Sequence, residues 1–232
     1  MFRAVADFFL RAQIQATKIM SLYVELSYLH GDDFSEFLRR YIRPLLIKGV
    51  PSVIQEIKEF YNQPAKVAQI EKQLLAYLES MDKEMTLSPE DDEEQDPTVY
   101  LWLNYFLAQH FKFKGDVKSA LKYVDAAIAH TPTLLELYTL KGKIFSMAGD
   151  RKQCSVLHEE ARNLDTADRA INAISAMQML KAGDFEAGLK TMNIFVSDCG
   201  YDVNVHDNQT VWFELQSGNS LYNNQRYREA LK

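Results

Sequence analysis

Five histidines and two cysteines are the side chains of this sequence best suited to metal or nucleophilic chemistry, and none has the spacing to use it. His30, His110, His130, His158 and His206 are isolated from one another, so no two fall at the short intervals that bring ligands to one metal. Cys154 and Cys199 form no paired-cysteine motif, and two thiols in 232 residues fit a reducing compartment. Cys154 falls where packed helices want a small residue, which predicts a buried thiol without chemistry. His158, on the same packing face, predicts a satisfied buried ring rather than a ligand. No Gly-rich phosphate loop and no Gly-x-Ser-x-Gly turn occur. Glu159 and Glu160 read as a solvated helix face. No catalytic and no metal-ligating residue is therefore expected, and the chain reads as a scaffold.

Binding chemistry is better represented. Lys141, Lys143, Lys152, Arg169 and Lys181 would hold a polyanion through charge-assisted hydrogen bonds if the fold made them converge; otherwise they are ordinary surface charge. The net charge of −6 argues against general nucleic-acid binding. With 47% apolar and 25% charged residues the composition is that of a soluble globular protein. The most apolar region, Val5 to Leu29, is interrupted by Asp7, Arg11, Gln13, Gln15, Lys18 and Glu25. A bilayer span needs about 20 mostly apolar residues, so neither a membrane span nor a signal peptide is expected there.

What must position these groups is legible as a repeat. Ala108, Phe111, Gly115, Ala120, Val124, Ala127 and Pro132 recur 34 residues later as Gly142, Phe145, Gly149, Cys154, His158, Ala161 and Thr166. That period and pattern are those of tetratricopeptide helix pairs, which cannot bury their apolar sides alone and stack into an all-α solenoid. Ala176, Met179, Gly183, Phe185 and Gly188 keep the register in a third copy. Val211, Gly218, Leu221, Tyr227 and Ala230 keep it in a fourth, after an insertion expected within Gly200 to Gln209. The copies run at about 101–134, 135–168, 169–202 and 211–232. Lys232 falls inside the fourth copy, which predicts a fragment. Upstream, Ala4 to Leu29 predicts one or two helices. Gly31 and Asp32 or Asp33 predict a stop and a new cap, and Pro44 is expected to end or kink the next helix. Residues 1–87 read as degenerate helical units, 88–97 as a solvated acidic linker, and 98–232 as the clear repeats.

The inward register face of the opening helices carries Trp102, Tyr105, Phe106 and Gln109, then Glu136, Thr139, Leu140, Lys143 and Met147, then Ala173, Ile174 and Met177. Aromatics and Met are enriched in interface cores, so Trp102, Tyr105, Phe106, Leu140, Met147, Ile174 and Met177 are the expected partner contacts. The alternative is that helices of the same chain fill that face. Peptide-binding tetratricopeptide domains clamp a C-terminal carboxylate with cations here, but the slots hold Tyr105, Gln109, Leu140, Ala170 and Ile174. A carboxylate clamp is therefore disfavoured.

Several longer runs are more specific than any repeat consensus. They are Tyr41 to Leu46 with Lys48-Gly49-Val50-Pro51-Ser52, Trp102 to His110, His130 to Tyr138, Leu164-Asp165-Thr166-Ala167-Asp168-Arg169 and Val211-Trp212-Phe213. In this order, over about Gly31 to Lys232, the chain resembles the large auxiliary subunit of the NatA N-terminal acetyltransferase complex. The resemblance implies a non-catalytic tetratricopeptide solenoid that wraps and shapes the small catalytic acetyltransferase subunit. It implies cytoplasmic, co-translational action at the ribosome, with acetyl-CoA bound only by the catalytic partner and no cofactor of the chain's own. It also implies inositol hexakisphosphate at the subunit junction, with Lys141, Lys143 and Arg169 at matching basic positions. Met147 stands where relatives often carry His, and Ser146 and Gln178 replace commonly basic positions, which erodes that site. The competing reading is a generic repeat adaptor for a peptide or helix of an unrelated partner.

Overall fold

Where the chain reverses direction, the same two residues do the work three times. Gly115, Gly149 and Gly183 take left-handed φ values of 80°, 89° and 91°, which a glycine adopts without the clash of a Cβ. The Asp that follows each one then caps the next helix: Asp116 accepts from Ser119 N at 3.1 Å, Asp150 from Gln153 N at 2.9 Å and Asp184 from Ala187 N at 3.0 Å. In the fourth copy Gln225 holds the left-handed position (φ 63°), and Arg226 gives the next helix no side-chain cap.

The computed structural model describes residues 28–89, 91, 93–195 and 210–231. The helix expected over Ala4 to Leu29 lies, but for its last two residues, outside them, as do the insertion expected within Gly200 to Gln209, Cys199 and His206. Among the described residues the regular elements are all helical, and the chain divides into two compact units, Met1–His130 and Thr131–Lys232.

The first unit contains α1 (Gly31–Ile47), α2 (Val53–Glu56), a 3₁₀ segment (Ile57–Asn62), α3 (Pro64–Glu84), α4 (Pro97–Lys114) and α5 (Val117–His130). Pro44 does not end α1, which runs three residues further. A proline removes one backbone donor, and burial of Ile42, Leu45 and Leu46 around it holds the helix together. Nor do Asp32 and Asp33 cap α1; both lie in its first turn, where the helix dipole favours negative charge. Helix α4 starts at a capping Asp96, which accepts from Thr98 N at 2.8 Å, with Pro97 at the first helical position. It is apolar nearly all round, and Leu103 to Ala108 are buried without a break, the mark of a helix enclosed by others. The other helical elements of the unit pack on it. Lys66 of α3 is only 2% exposed, its ammonium 4.9 Å from the Phe34 ring centre and 4.8 Å from that of Phe60. Within the acidic stretch Asp91 pairs with Arg43 at 2.6 Å and accepts from Ser88 N.

The second unit contains α6 (Leu135–Met147), α7 (Arg151–Leu164), α8 (Arg169–Lys181), α9 (Phe185–Asn193), α10 (Val211–Asn223) and α11 (Tyr227–Ala230), with α6·α7, α8·α9 and α10·α11 as hairpins. Small residues let each pair close. A Cβ on Gly142 would collide with the His158 ring, and one on Gly188 would meet Leu180 at 2.8 Å. Leu180 and Phe213 form a buried core with Phe185, Leu189, Met192 and Trp212 around it. The third and fourth copies are thus joined by aromatic and branched side chains.

Candidate functional site

The register face of α4 is occupied by the chain itself. Phe106 is 0% exposed and Tyr105 is buried with it. Trp102 lies against Gly49, where a Cβ would collide with the indole, and Tyr105 meets Trp102 edge-on at 5.6 Å. Gln109 Nε2 donates to the Pro51 carbonyl at 3.4 Å. The Lys48 to Ser52 turn therefore lies against Trp102 and Gln109 of the face that the sequence offered to a partner. Tyr105 and Phe106 are corrected from partner contacts to core of the first unit, while Trp102 is half-buried against the turn. The reason is geometric: Gly49, at φ 65°, presents bare backbone on which an indole can lie flat.

In the second unit the expected contacts separate. Leu140 is 4% exposed and belongs to the core of the α6·α7 hairpin, so it too is corrected. Met147 and Ile174 are 43% and 42% exposed, and Met177 is half-buried. These three remain available at the surface of this unit.

The basic residues divide in the same way. Lys143 and Lys181 both bear on His158 of α7: burial first, then their positive charges, hold its imidazole below the ordinary range. Arg169 is exposed, its guanidinium 5.4 Å from the Phe195 ring centre. Lys141 is half-buried. Lys152 instead lines a groove with Ser155, Val156, Glu159 and Glu160. Glu159 is not simply solvated: it accepts from Arg162 at 2.8 Å and from Ser175 at 2.9 Å.

His158 is only half satisfied, contrary to expectation. Its Nδ1 donates to the Cys154 carbonyl at 2.8 Å, while Nε2 is buried with no hydrogen-bond partner among the described residues. Cys154 is a buried free thiol; burial pushes its pKa up, and Sγ reaches Gln178 Oε1 at 3.6 Å. A raised thiol pKa leaves little thiolate, so this pair has no nucleophile to offer.

One cluster has no trace in the sequence pattern. Tyr61 Oη lies 2.7 Å from His110 Nδ1, His110 Nε2 lies 3.2 Å from Glu71 Oε2, and Lys114 Nζ pairs with the same oxygen. Its members come from three elements. Only the His110–Lys114 interval, four residues on one helix, was there to be seen.

Among the described residues no group of three or more His, Cys, Asp or Glu is placed to hold a metal ion, and no helix is long and apolar enough to cross a membrane.

Comparison with known proteins bears on these features together. The family model described as N-terminal acetyltransferase A, auxiliary subunit, matches residues 7–232, so the likeness begins well before Gly31. The chain is 36% identical over 209 residues to the N-terminal acetyltransferase A complex auxiliary subunit NAA15 of Arabidopsis thaliana, covering 90% of the chain and 23% of that protein. It is 35% identical over 209 residues to N-alpha-acetyltransferase 16, NatA auxiliary subunit, of Mus musculus, covering 89% of the chain and 24% of that protein. The chain thus spans about a quarter of the length of the curated relatives it matches. Among solved structures, one of Naa15/Naa10 bound to HypK-THB superposes with a TM-score of 0.81 at 23% identity, covering 98% of this chain and 34% of the other. The fold is accordingly an all-α tetratricopeptide-type solenoid fold.

Proposed function

The chain belongs to the family of N-terminal acetyltransferase A auxiliary subunits, and on that premise we propose that it is a non-catalytic scaffold binding and shaping a catalytic acetyltransferase subunit. The observation that carries this reading is the family match over residues 7–232, joined to exposed Met147 and Ile174 in the second unit. A shaping effect has a simple physical form: contacts made better with one conformation of the partner raise its population. The solved neighbour supports a partner of the Naa10 type. Acetyl-CoA would then be bound by the partner alone.

The test is co-expression with a catalytic N-terminal acetyltransferase subunit, followed by capture of this chain. Met147→Asp together with Ile174→Asp should abolish capture while leaving the helical signal and melting temperature of the free chain nearly unchanged. Charge at an exposed site does not disturb a core, whereas burial of that charge in an interface is costly. Capture that survives both substitutions would place the partner elsewhere, and no capture by the wild-type chain would remove the reading.

Two finer expectations belong to the same proposal. Cytoplasmic, co-translational action at the ribosome rests on the family resemblance and is checked by co-sedimentation with ribosomes carrying nascent chains. Inositol hexakisphosphate binding at Lys141, Lys143 and Arg169 is supported by exposed Lys143 and Arg169 and by the shared positive field of Lys143 and Lys181 around His158. Titration of that ligand into the co-purified complex, with and without Lys143→Glu, checks it.

A further inference from the structure

The Tyr61–His110–Glu71 chain in the first unit has a direction that its geometry fixes. Hydrogen bonds from Lys114 and His110 outweigh the effect of burial and hold the Glu71 carboxyl below the usual range, so it is ionised near neutrality and can only accept. His110 Nε2 must therefore carry the proton that reaches Glu71. A neutral imidazole has one N–H, so Nδ1 is a lone pair and Tyr61 must be the donor at 2.7 Å. The ring is 0% exposed, and water does not reach it to offer a substitute.

We propose that Tyr61, His110 and Glu71 form a proton-operated latch that fastens the 3₁₀ segment to α4 while His110 is neutral, with Glu71 of α3 fixing the tautomer of the ring. A proton added at Nδ1 meets the Tyr61 O–H head-on. The hydroxyl must turn round to accept that proton, leaving its own O–H without its former acceptor, or the segment must move away. The groups facing the ring set how readily that happens: Glu71 of α3 favours the charged ring, Lys114 of α4 opposes it, and burial opposes it. Tyr61 of the 3₁₀ segment stabilises the neutral ring by its donated bond. Tyr123 of α5, whose hydroxyl pKa is itself raised first by burial and then by Glu71, contributes no charge near neutrality. The latch is built from residues of the first unit, whereas Met147 and Ile174 belong to the second, so its test and that of the proposed function use different substitutions.

The experiment is a ¹⁵N and ¹³C NMR titration of the histidine rings in the full chain between pH 8 and pH 4.5, with amide exchange followed in parallel. At pH 7.5 His110 should be the neutral Nε2–H tautomer. Tyr61→Phe, which deletes only the hydroxyl, should move the His110 titration to higher pH, because the neutral ring loses its donor. Glu71→Gln, which keeps an acceptor but removes the charge, should move it to lower pH. Protection of the amides in Ile57–Asn62 should fall in step with His110 protonation, sooner than that of α6 and α7. An Nδ1–H tautomer, a titration unmoved by Tyr61→Phe, or protection indifferent to His110 protonation would each overturn the latch. The opposite shifts of two variants separate it from a merely structural hydrogen bond, whose loss would lower protection at every pH alike.

Discussion

Helices α4 and α8 stand two register copies apart, yet they meet opposite fates. The inward positions of α4 are filled by Trp102, Tyr105, Phe106 and Gln109, all engaged by the chain's own Lys48 to Ser52 turn or core. Those of α8 include Ala173, Ile174 and Met177, with Ile174 almost half exposed. A repeat register fixes which face a residue takes; it does not fix what covers that face. In the first unit an upstream turn arrives, so aromatic residues serve folding. In the second unit smaller apolar residues stay exposed or half-buried.

Breaking the comparison at its buried end should have the largest effect. Phe106→Asp places an unpaired carboxylate at a site with no exposure, and the cost, several kcal/mol, is comparable with the whole stability of a domain. The first unit should fail to fold, read as lost helical signal and lost solubility. Gly49→Ala comes next. The new methyl must take a left-handed backbone, costing about 1–2 kcal/mol, and it also collides with Trp102, where overpacking costs about 1–3 kcal/mol. Chemical denaturation of the first unit should show the sum as a lowered midpoint. By contrast Ile174→Asp, at the open end, should shift the melting midpoint little; surface changes stay within about 0.5 kcal/mol.

Acid should sharpen the contrast through both buried rings. His110 and His158 have folded pKa values below the ordinary 6.5, chiefly because burial disfavours the charged imidazole. The unfolded chain therefore binds more protons in that window, and stability rises with pH across it. Each contribution is fully present above pH 6.5 and is lost as pH falls through the lower folded value. Melting curves between pH 7.5 and pH 5 should show this decline, and His110→Gln should flatten the part belonging to the first unit. The smallest expected change is a gain. Gln225 holds the left-handed position that glycine holds in the other three turns, so Gln225→Gly should relieve about 1 kcal/mol of strain. That gain is partly offset by the greater freedom of glycine when unfolded. A rise of a few degrees in the melting point of the second unit would show it.

How far the sequence could be read follows from which contacts are local. The 34-residue period and its recurring glycines were legible because the helical hairpin each copy makes rests on residues a few places apart, through left-handed glycine and helical periodicity. Of the two outcomes expected at Pro44, an end of the helix did not occur, because buried neighbours hold α1 together past the missing donor. The exposure of the candidate partner face was only partly legible. Met147, Ile174 and Met177 stayed at or near the surface, Trp102 is half-buried under the chain's own turn, and Tyr105, Phe106 and Leu140 went into the core. An aromatic row reads the same whether a partner or a turn some 50 residues upstream covers it. The Tyr61–His110–Glu71 chain was illegible for the same reason, since its hydrogen bonds span 49 and 39 residues.

By itself, then, the order of residues determined that this chain makes helical hairpins in a repeating register, and its longer motifs placed it in its family. Both follow from short-range chemistry, which every local segment carries with it. Only the tertiary structure decided that Gly49 would roof Trp102, that Glu71 would orient His110, and that Ile174 would be left uncovered. Those outcomes depend on distant segments competing for the same apolar surface, and burial rewards whichever arrives without regard to its place in the sequence.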